Sequence, residues 1–265
     1  MSLNAHPIGV LDSGIGGLTV VRELQRLLPG EDLLYFGDSA NCPYGNRSSD
    51  EILSLTLRML RYLEAREIKC AAIACNTIST LVEELRPCFD FPIVSIVDCS
   101  ADYVIRAGLP SVGLIATEFT VRSGAYDAHI HSKNPDCRII SKGSPTLAAL
   151  IDRGDFDEAA IDEEITRQVG DILEREPVED LLLACTHFPI VAENFRRCFP
   201  RLRLIDPAEQ QSAAVRDLLA ALGATNPQVR GRLTICTTGD PAVYSSVSER
   251  LGLFGPKECL AVKLD

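Results

Sequence analysis

Ala71-Ala-Ile-Ala-Cys75-Asn-Thr77 and Leu181-Leu-Leu-Ala-Cys185-Thr-His187 are two copies of one pattern: an unbroken apolar run, a cysteine, then polar residues opening a helix-like segment. A short apolar run without alternation marks a strand buried on both faces, as in a parallel sheet covered by helices. Similar runs occur at Ile8 to Leu11, Leu33 to Phe36 and Ile93 to Val97, then at Val112 to Ile115, Arg138 to Ser141 and Leu202 to Ile205. Segments of helical period separate them, so the predicted class is α/β.

The strands fall into two sets of four with shared punctuation. Gly9-Val-Leu-Asp-Ser13 opens one set and Gly113-Leu-Ile-Ala-Thr117 the other, and both fourth runs lead to an aspartate, Asp98 and Asp206. A repeat this long implies a duplicated domain rather than a solenoid. A further run, Leu233 to Thr237, follows the helix-like Ala213 to Leu222 and most simply returns to the first domain. The expected organisation is therefore two pseudo-symmetric, three-layer α/β domains with mainly parallel sheets. The first is discontinuous, 7–98 plus 212–265, and carries Asp12 and Cys75; the second, 99–211, carries Asp152, Cys185 and His187. Hinges are expected near Asp98 to Ala101 and Asp206 to Gln211. No Pro/Gly/Ser-rich linker separates the halves, which implies a close interface with the active site in the cleft.

In open parallel sheets ligands bind beyond the carboxyl ends of strands, where helix N-termini face the same crevice. Cys75 and Cys185 both occupy that place. A helix N-terminus favours thiolate and lowers a cysteine pKa from about 8.5 toward neutrality, which makes each a candidate base. Two thiols flanking one carbon can invert it, one removing a proton while the other returns one to the opposite face. The bland alternative is that both are small buried apolar residues, as cysteine often is.

Asp12 precedes the turn Ser13-Gly14-Ile15-Gly16-Gly17. The turn matches neither nucleotide fingerprint, G-x-G-x-x-G or G-x-x-x-x-G-K-[ST], and a carboxylate at its mouth opposes phosphate. Asp12 suits holding a substrate ammonium or relaying a proton, or else capping the helix that starts near Leu18. His187 is placed to give a proton or a positive charge to Cys185 or to a substrate carboxylate, or is simply a hydrogen-bonded residue at a helix start. Asn76, Thr77 and Thr186 supply amide and hydroxyl donors for a carboxylate, or caps. The turn Asn41-Cys42-Pro43-Tyr44-Gly45-Asn46 either lines the cleft, its backbone N–H groups and Tyr44 holding a second carboxylate, or is an ordinary surface turn.

These residues give the chain its likeness. Asp12-Ser13-Gly14 with Gly16-Gly17-Leu18-Thr19, Tyr35-Phe36-Gly37-Asp38, Pro43-Tyr44-Gly45, Ala74-Cys75-Asn76-Thr77, Thr120-Val121 with Ser123 and Tyr126, and Cys185-Thr186-His187 with Pro189 stand in the order found in glutamate racemases. The sequence resembles that cofactor-independent branch of the aspartate/glutamate racemase superfamily over nearly its whole length. The resemblance implies catalysis by Cys75 and Cys185 as opposing base and acid, assisted by Asp12 and His187. It implies substrate contacts from Ser13, Asn76, Thr77, Thr117 and Thr186, with Pro43, Tyr44 and Gly45 in the loop that recognises the side-chain carboxylate. It further implies a homodimer that makes D-glutamate for peptidoglycan. Where the family has a glutamate, this chain has Asp152, one methylene shorter; if that carboxylate orients His187, its reach is altered. The expected activity is racemisation of glutamate, the alternatives being aspartate or another amino acid, or a silent amino-acid-binding paralogue.

Composition narrows the rest. The chain has 265 residues, 46% hydrophobic and 24% charged, with a formal net charge of −11. That charge repels phosphate backbones and anionic lipid, so the expected partner is a small-molecule substrate, not nucleic acid or a membrane. No run approaches the roughly 20 apolar residues of a membrane span, and the first ten residues lack a secretory layout, so a cytoplasmic location is expected. The ten cysteines include no C-x-x-C pair and read as thiols; Cys185 and His187 alone do not make a zinc site. A pyridoxal enzyme needs a Schiff-base lysine, and Lys69, Lys133, Lys142, Lys257 and Lys263 lie in no cleft motif. No metal or organic cofactor is expected.

Overall fold

The structure, a computed structural model, describes residues 3–152, 156–255 and 257–264. Its strands are β1 (Ile8–Asp12), β2 (Leu33–Gly37), β3 (Cys70–Ile73), β4 (Ile93–Ser95), β5 (Ser111–Thr117), β6 (Arg138–Ser144), β7 (Asp180–Ala184), β8 (Arg203–Ile205), β9 (Leu233–Thr237) and β10 (Lys257–Ala261). They form two sheets, a six-stranded one in the order β10-β9-β2-β1-β3-β4 and a four-stranded one in the order β6-β5-β7-β8. Every strand pairing is parallel.

The orders β2-β1-β3-β4 and β6-β5-β7-β8 are the same topology, so the sequence repeat is a repeat of architecture. In each unit the chain runs to one side of its first strand and then to the other. The crevice at such a reversal lies beside the carboxyl ends of β1 and β3 in one sheet, and of β5 and β7 in the other. β9 and β10 extend the first sheet beyond β2.

Apolar packing occupies three layers. Residues of both sheets, among them Val10, Ala72, Leu114 and Leu182, share one core with the helices between them. The helix Ser49–Glu64 covers the far face of the first sheet through Ile52, Met59 and Leu63. Glu158–Arg175 covers that of the second through Ile161, Ile165, Val169 and Ile172. The chain passes between the sheets through two helices, Ile96–Arg106 and Pro207–Ala221, which pack on one another. Gln211 is fully buried on the returning helix and donates to the carbonyls of Ile73 and Val94, stitching it to the ends of β3 and β4.

Some edges differ from the sequence reading. β4 stops at Ser95, and Ile96, Val97 and Asp98 are helical because the Ser95 hydroxyl accepts the Asp98 N–H as an N-cap. The returning helix starts at Pro207 rather than Ala213, because Asp206 caps it and proline suits the first turn. β10 was not anticipated: it is an edge strand whose residues are mostly exposed, so no buried apolar run announces it. Among the described residues no helix is long and apolar enough to cross a membrane.

Candidate active site

β1 delivers Asp12 to the crevice and β3 delivers Cys75, which stands immediately before the short helix Asn76–Ser79. From the other sheet β5 ends at Thr117, and β7 is followed by Cys185, Thr186 and His187 ahead of the 3-10 turn Phe188–Val191. These ends meet at a cavity of about 300 Å³. Cys75, Cys185, His187, Asp152, Ser13, Asn76, Thr77, Thr117, Thr186, Pro43, Tyr44 and Gly45 all line it. Of the residues expected at the site only Asp12 stands behind the wall, fully buried. Cys42, within the turn read as lining the cleft, stands in the wall as well; Ala148 and Ala149 line it too and were not anticipated. Nothing in the sequence marks the Cys42 thiol out from the other nine. The alanines carry no chemical signal and arrive with the helix Leu147–Asp152, which brings Asp152.

Each cysteine has a polar companion. The Ser13 hydroxyl lies 3.5 Å from Cys75 Sγ, and His187 Nδ1 lies 3.8 Å from Cys185 Sγ. On its other side His187 Nε2 meets Asp152 Oδ1 at 3.0 Å, so the shorter carboxylate does reach the ring. Burial disfavours a charged ring, yet the bonds to Asp152 and Cys185 outweigh it and hold the His187 pKa well above its ordinary value. Asp152 moves the other way: burial opposes ionisation, but the His187 bond and charge, with the Ile15 N–H and the Cys42 thiol, together outweigh that and keep its pKa below the ordinary value.

Asp12 accepts the Gly14 N–H at 2.9 Å and the Thr186 hydroxyl at 3.0 Å. It is not the cap of the helix Leu18–Leu27, whose N-cap is Gly17 with no side-chain bond. Burial raises the Asp12 pKa from 3.8 to about 6, moderated by the His187 charge. Cys75 corrects the expectation of a lowered thiol. Burial pushes its pKa up to about 12, and the Asp12 charge adds to this; the bonds from Ser13 and the Ile78 N–H only moderate it. A helix of four residues has little dipole with which to oppose desolvation.

Tyr44 also departs from expectation. Its hydroxyl donates to Asp38 at 2.7 Å, and Asp38 takes Asn41 and Thr238 as well, so the hydroxyl anchors the loop instead of being free for a ligand. The two cysteine loops are braced from opposite halves. Thr77 lies 3.0 Å from Thr117 and 3.4 Å from Thr120, hydroxyl to hydroxyl, while Thr186 is held by Asp12. All ten cysteines are free, and among the described residues no three His, Cys, Asp or Glu side chains gather as metal ligands.

The geometry has relatives. The profile of the Asp/Glu/hydantoin racemase family matches residues 8–227. A glutamate racemase from Thermus thermophilus is 36% identical over 249 residues, covering 93% of this chain and 92% of the relative. The crystal structure of a glutamate racemase from Francisella tularensis in complex with D-glutamate superposes with a TM-score of 0.90 at 31% identity, over 99% of both chains. A glutamate racemase isoform from Bacillus anthracis superposes at 0.91 with 28% identity, over 99% of this chain and 100% of the other.

Proposed function

Since this chain belongs to the Asp/Glu/hydantoin racemase family, we propose that it interconverts L- and D-glutamate by moving the α-proton between Cys75 and Cys185. The observation that carries this reading is the pair of sulfurs, supplied by equivalent strand ends of two sheets of like topology, in the wall of one small cavity. One sulfur, as thiolate, takes the α-proton: the C–H bond breaks, an S–H bond forms, and the electron pair passes into the α-carboxylate. The opposing thiol gives its proton to the other face, and the centre is inverted.

The α-proton is very weakly acidic, so the carboxylate must be stabilised as charge develops on it, by donors already in place and away from water. The Asn76 amide and the Thr77 hydroxyl provide such donors around the cavity, while the Thr186 hydroxyl is already given to Asp12. Asp12 stands behind the wall, so its charge acts on the substrate ammonium from there and not by contact, and the His187 charge faces the Cys185 sulfur. The loop of Pro43, Tyr44 and Gly45 holds the side-chain carboxylate through its backbone, since the Tyr44 hydroxyl is engaged by Asp38. The same reading assigns two domains, 7–98 with 212–265 and 99–211, and a homodimer in the cytoplasm that supplies D-glutamate for peptidoglycan.

Incubation with L-glutamate in heavy water tests the reaction. Optical rotation should decay while deuterium enters the α-position, and Cys75→Ser and Cys185→Ser should each abolish turnover of both enantiomers in folded protein. Stable rotation without deuterium in the unaltered protein would overturn the reading, and normal racemisation by either variant would remove that cysteine from it. Aspartate as a parallel substrate measures side-chain selectivity.

A further inference from the structure

We propose that Tyr126 is a positioning residue that sets the Asn76 amide to receive a substrate carboxylate, an inference that rests on the racemase reading. Tyr126 belongs to the helix Ala125–Lys133, which follows β5, and is only 2% exposed. Its hydroxyl reaches across to the loop after β3 and donates to Asn76 Oδ1 at 2.6 Å. Asn76 follows Cys75 directly, lines the cavity and is itself 2% exposed. Its amide nitrogen is buried without a partner.

A buried N–H group left unpaired is unfavourable, and such a group in the wall of a ligand cavity is accounted for by a ligand acceptor. A carboxylate only accepts hydrogen bonds, whereas an amide has one accepting and one donating end. By occupying Oδ1 the tyrosine hydroxyl fixes which end remains. Without it both orientations are open to the amide, and part of the ligand's binding free energy goes into selecting the donating one. The bond joins the two halves, and Thr77, the next residue, is bonded to Thr117 and Thr120 of the second half as well. The donor beside Cys75 is therefore set only when the halves are together.

Tyr126→Phe tests this in the full chain. The KM for both enantiomers should rise roughly fivefold to tenfold, the size expected for one lost hydrogen bond, with a smaller change in kcat. Calorimetric affinity for D-glutamate in a Cys75→Ser background should fall by the same factor. In an Asn76→Ala background the Tyr126→Phe effect should vanish, which loss of packing alone would not produce. An unchanged KM, or an equal effect in both backgrounds, overturns the proposal. If Tyr126→Phe does not fold, Asn76→Asp keeps the acceptor for Tyr126 but removes the N–H, and an unchanged KM there also overturns it. Failure of the unaltered protein to bind or racemise glutamate is a distinct outcome, which ends the racemase reading and this proposal with it.

Discussion

Asp12 is held in its less comfortable state at neutral pH. Its pKa stands at about 6 rather than 3.8 because burial penalises the charge. The folded form thus binds this proton more tightly than the unfolded chain does, and the stability it contributes is complete below pH 3.8 and lost as the pH rises through about 6. A shift of that size corresponds to about 3 kcal/mol. Asp12→Asn, which can still accept the Gly14 N–H, should therefore be the more stable protein at pH 7, by up to that amount in urea denaturation, with the difference closing toward pH 4. The same variant should lose most of its racemase activity. In the unaltered enzyme kcat/KM should fall on acidification with a midpoint near 6, and this limb should be missing from what activity Asp12→Asn retains. Asp206 is also raised to about 6 by burial but lies outside the cavity wall, so the variant separates the two. A limb centred near 4, or a destabilised Asp12→Asn at pH 7, would refute the assignment.

Gly16 makes the turn after β1 fit the loop after β7. A Cβ there would lie 2.4 Å from the Thr186 hydroxyl and 2.9 Å from the His187 backbone nitrogen, closer than packed atoms tolerate. Gly16→Ala should displace the loop carrying Cys185 and lower kcat/KM by on the order of a hundredfold, while the far-UV circular dichroism stays unchanged. Near-normal activity would show that the loop yields without harm to the chemistry. The glycines of this turn were visible in the sequence, but their partner was not, because close approach between 16 and 186 is a property of two loops from different sheets. Element edges were hidden for a related reason. Val97 continues an apolar run, so hydrophobicity alone extends β4 to it, whereas the single bond from Ser95 to the Asp98 N–H turns the chain into helix. A strand with both faces covered is legible from its run of apolar residues; an exposed edge strand such as β10 is not.

The six-stranded sheet is assembled from the two ends of the chain, and a buried ion pair closes it. Lys69 pairs with Glu31 in the interior, and its ammonium also donates to the Ala224 carbonyl at 3.0 Å, while Glu31 accepts the Asn226 N–H at 2.7 Å. The returning segment is thereby fastened to residues that precede β2 and β3. Removing one partner leaves the other charged and buried, so Lys69→Met should cost about 3–5 kcal/mol and lower Tm by on the order of 10 °C. The double variant Lys69→Met/Glu31→Leu should recover part of the loss, and an unchanged Tm in the single variant would show that the pair is not needed. The duplicated α/β plan and the two cysteines after matching strands were legible in the linear chain, because buried strands and the residues that follow them are local patterns; Ser13, Thr117 and Asp152 were assigned to the site by the family resemblance. Tertiary packing alone supplied the state of each group. It lifted the Cys75 thiol that a helix start was expected to lower, engaged the Tyr44 hydroxyl with Asp38, and set the Tyr126 hydroxyl on Asn76. Desolvation and hydrogen bonding depend on neighbours that lie far off along the chain, and no local pattern encodes those distances.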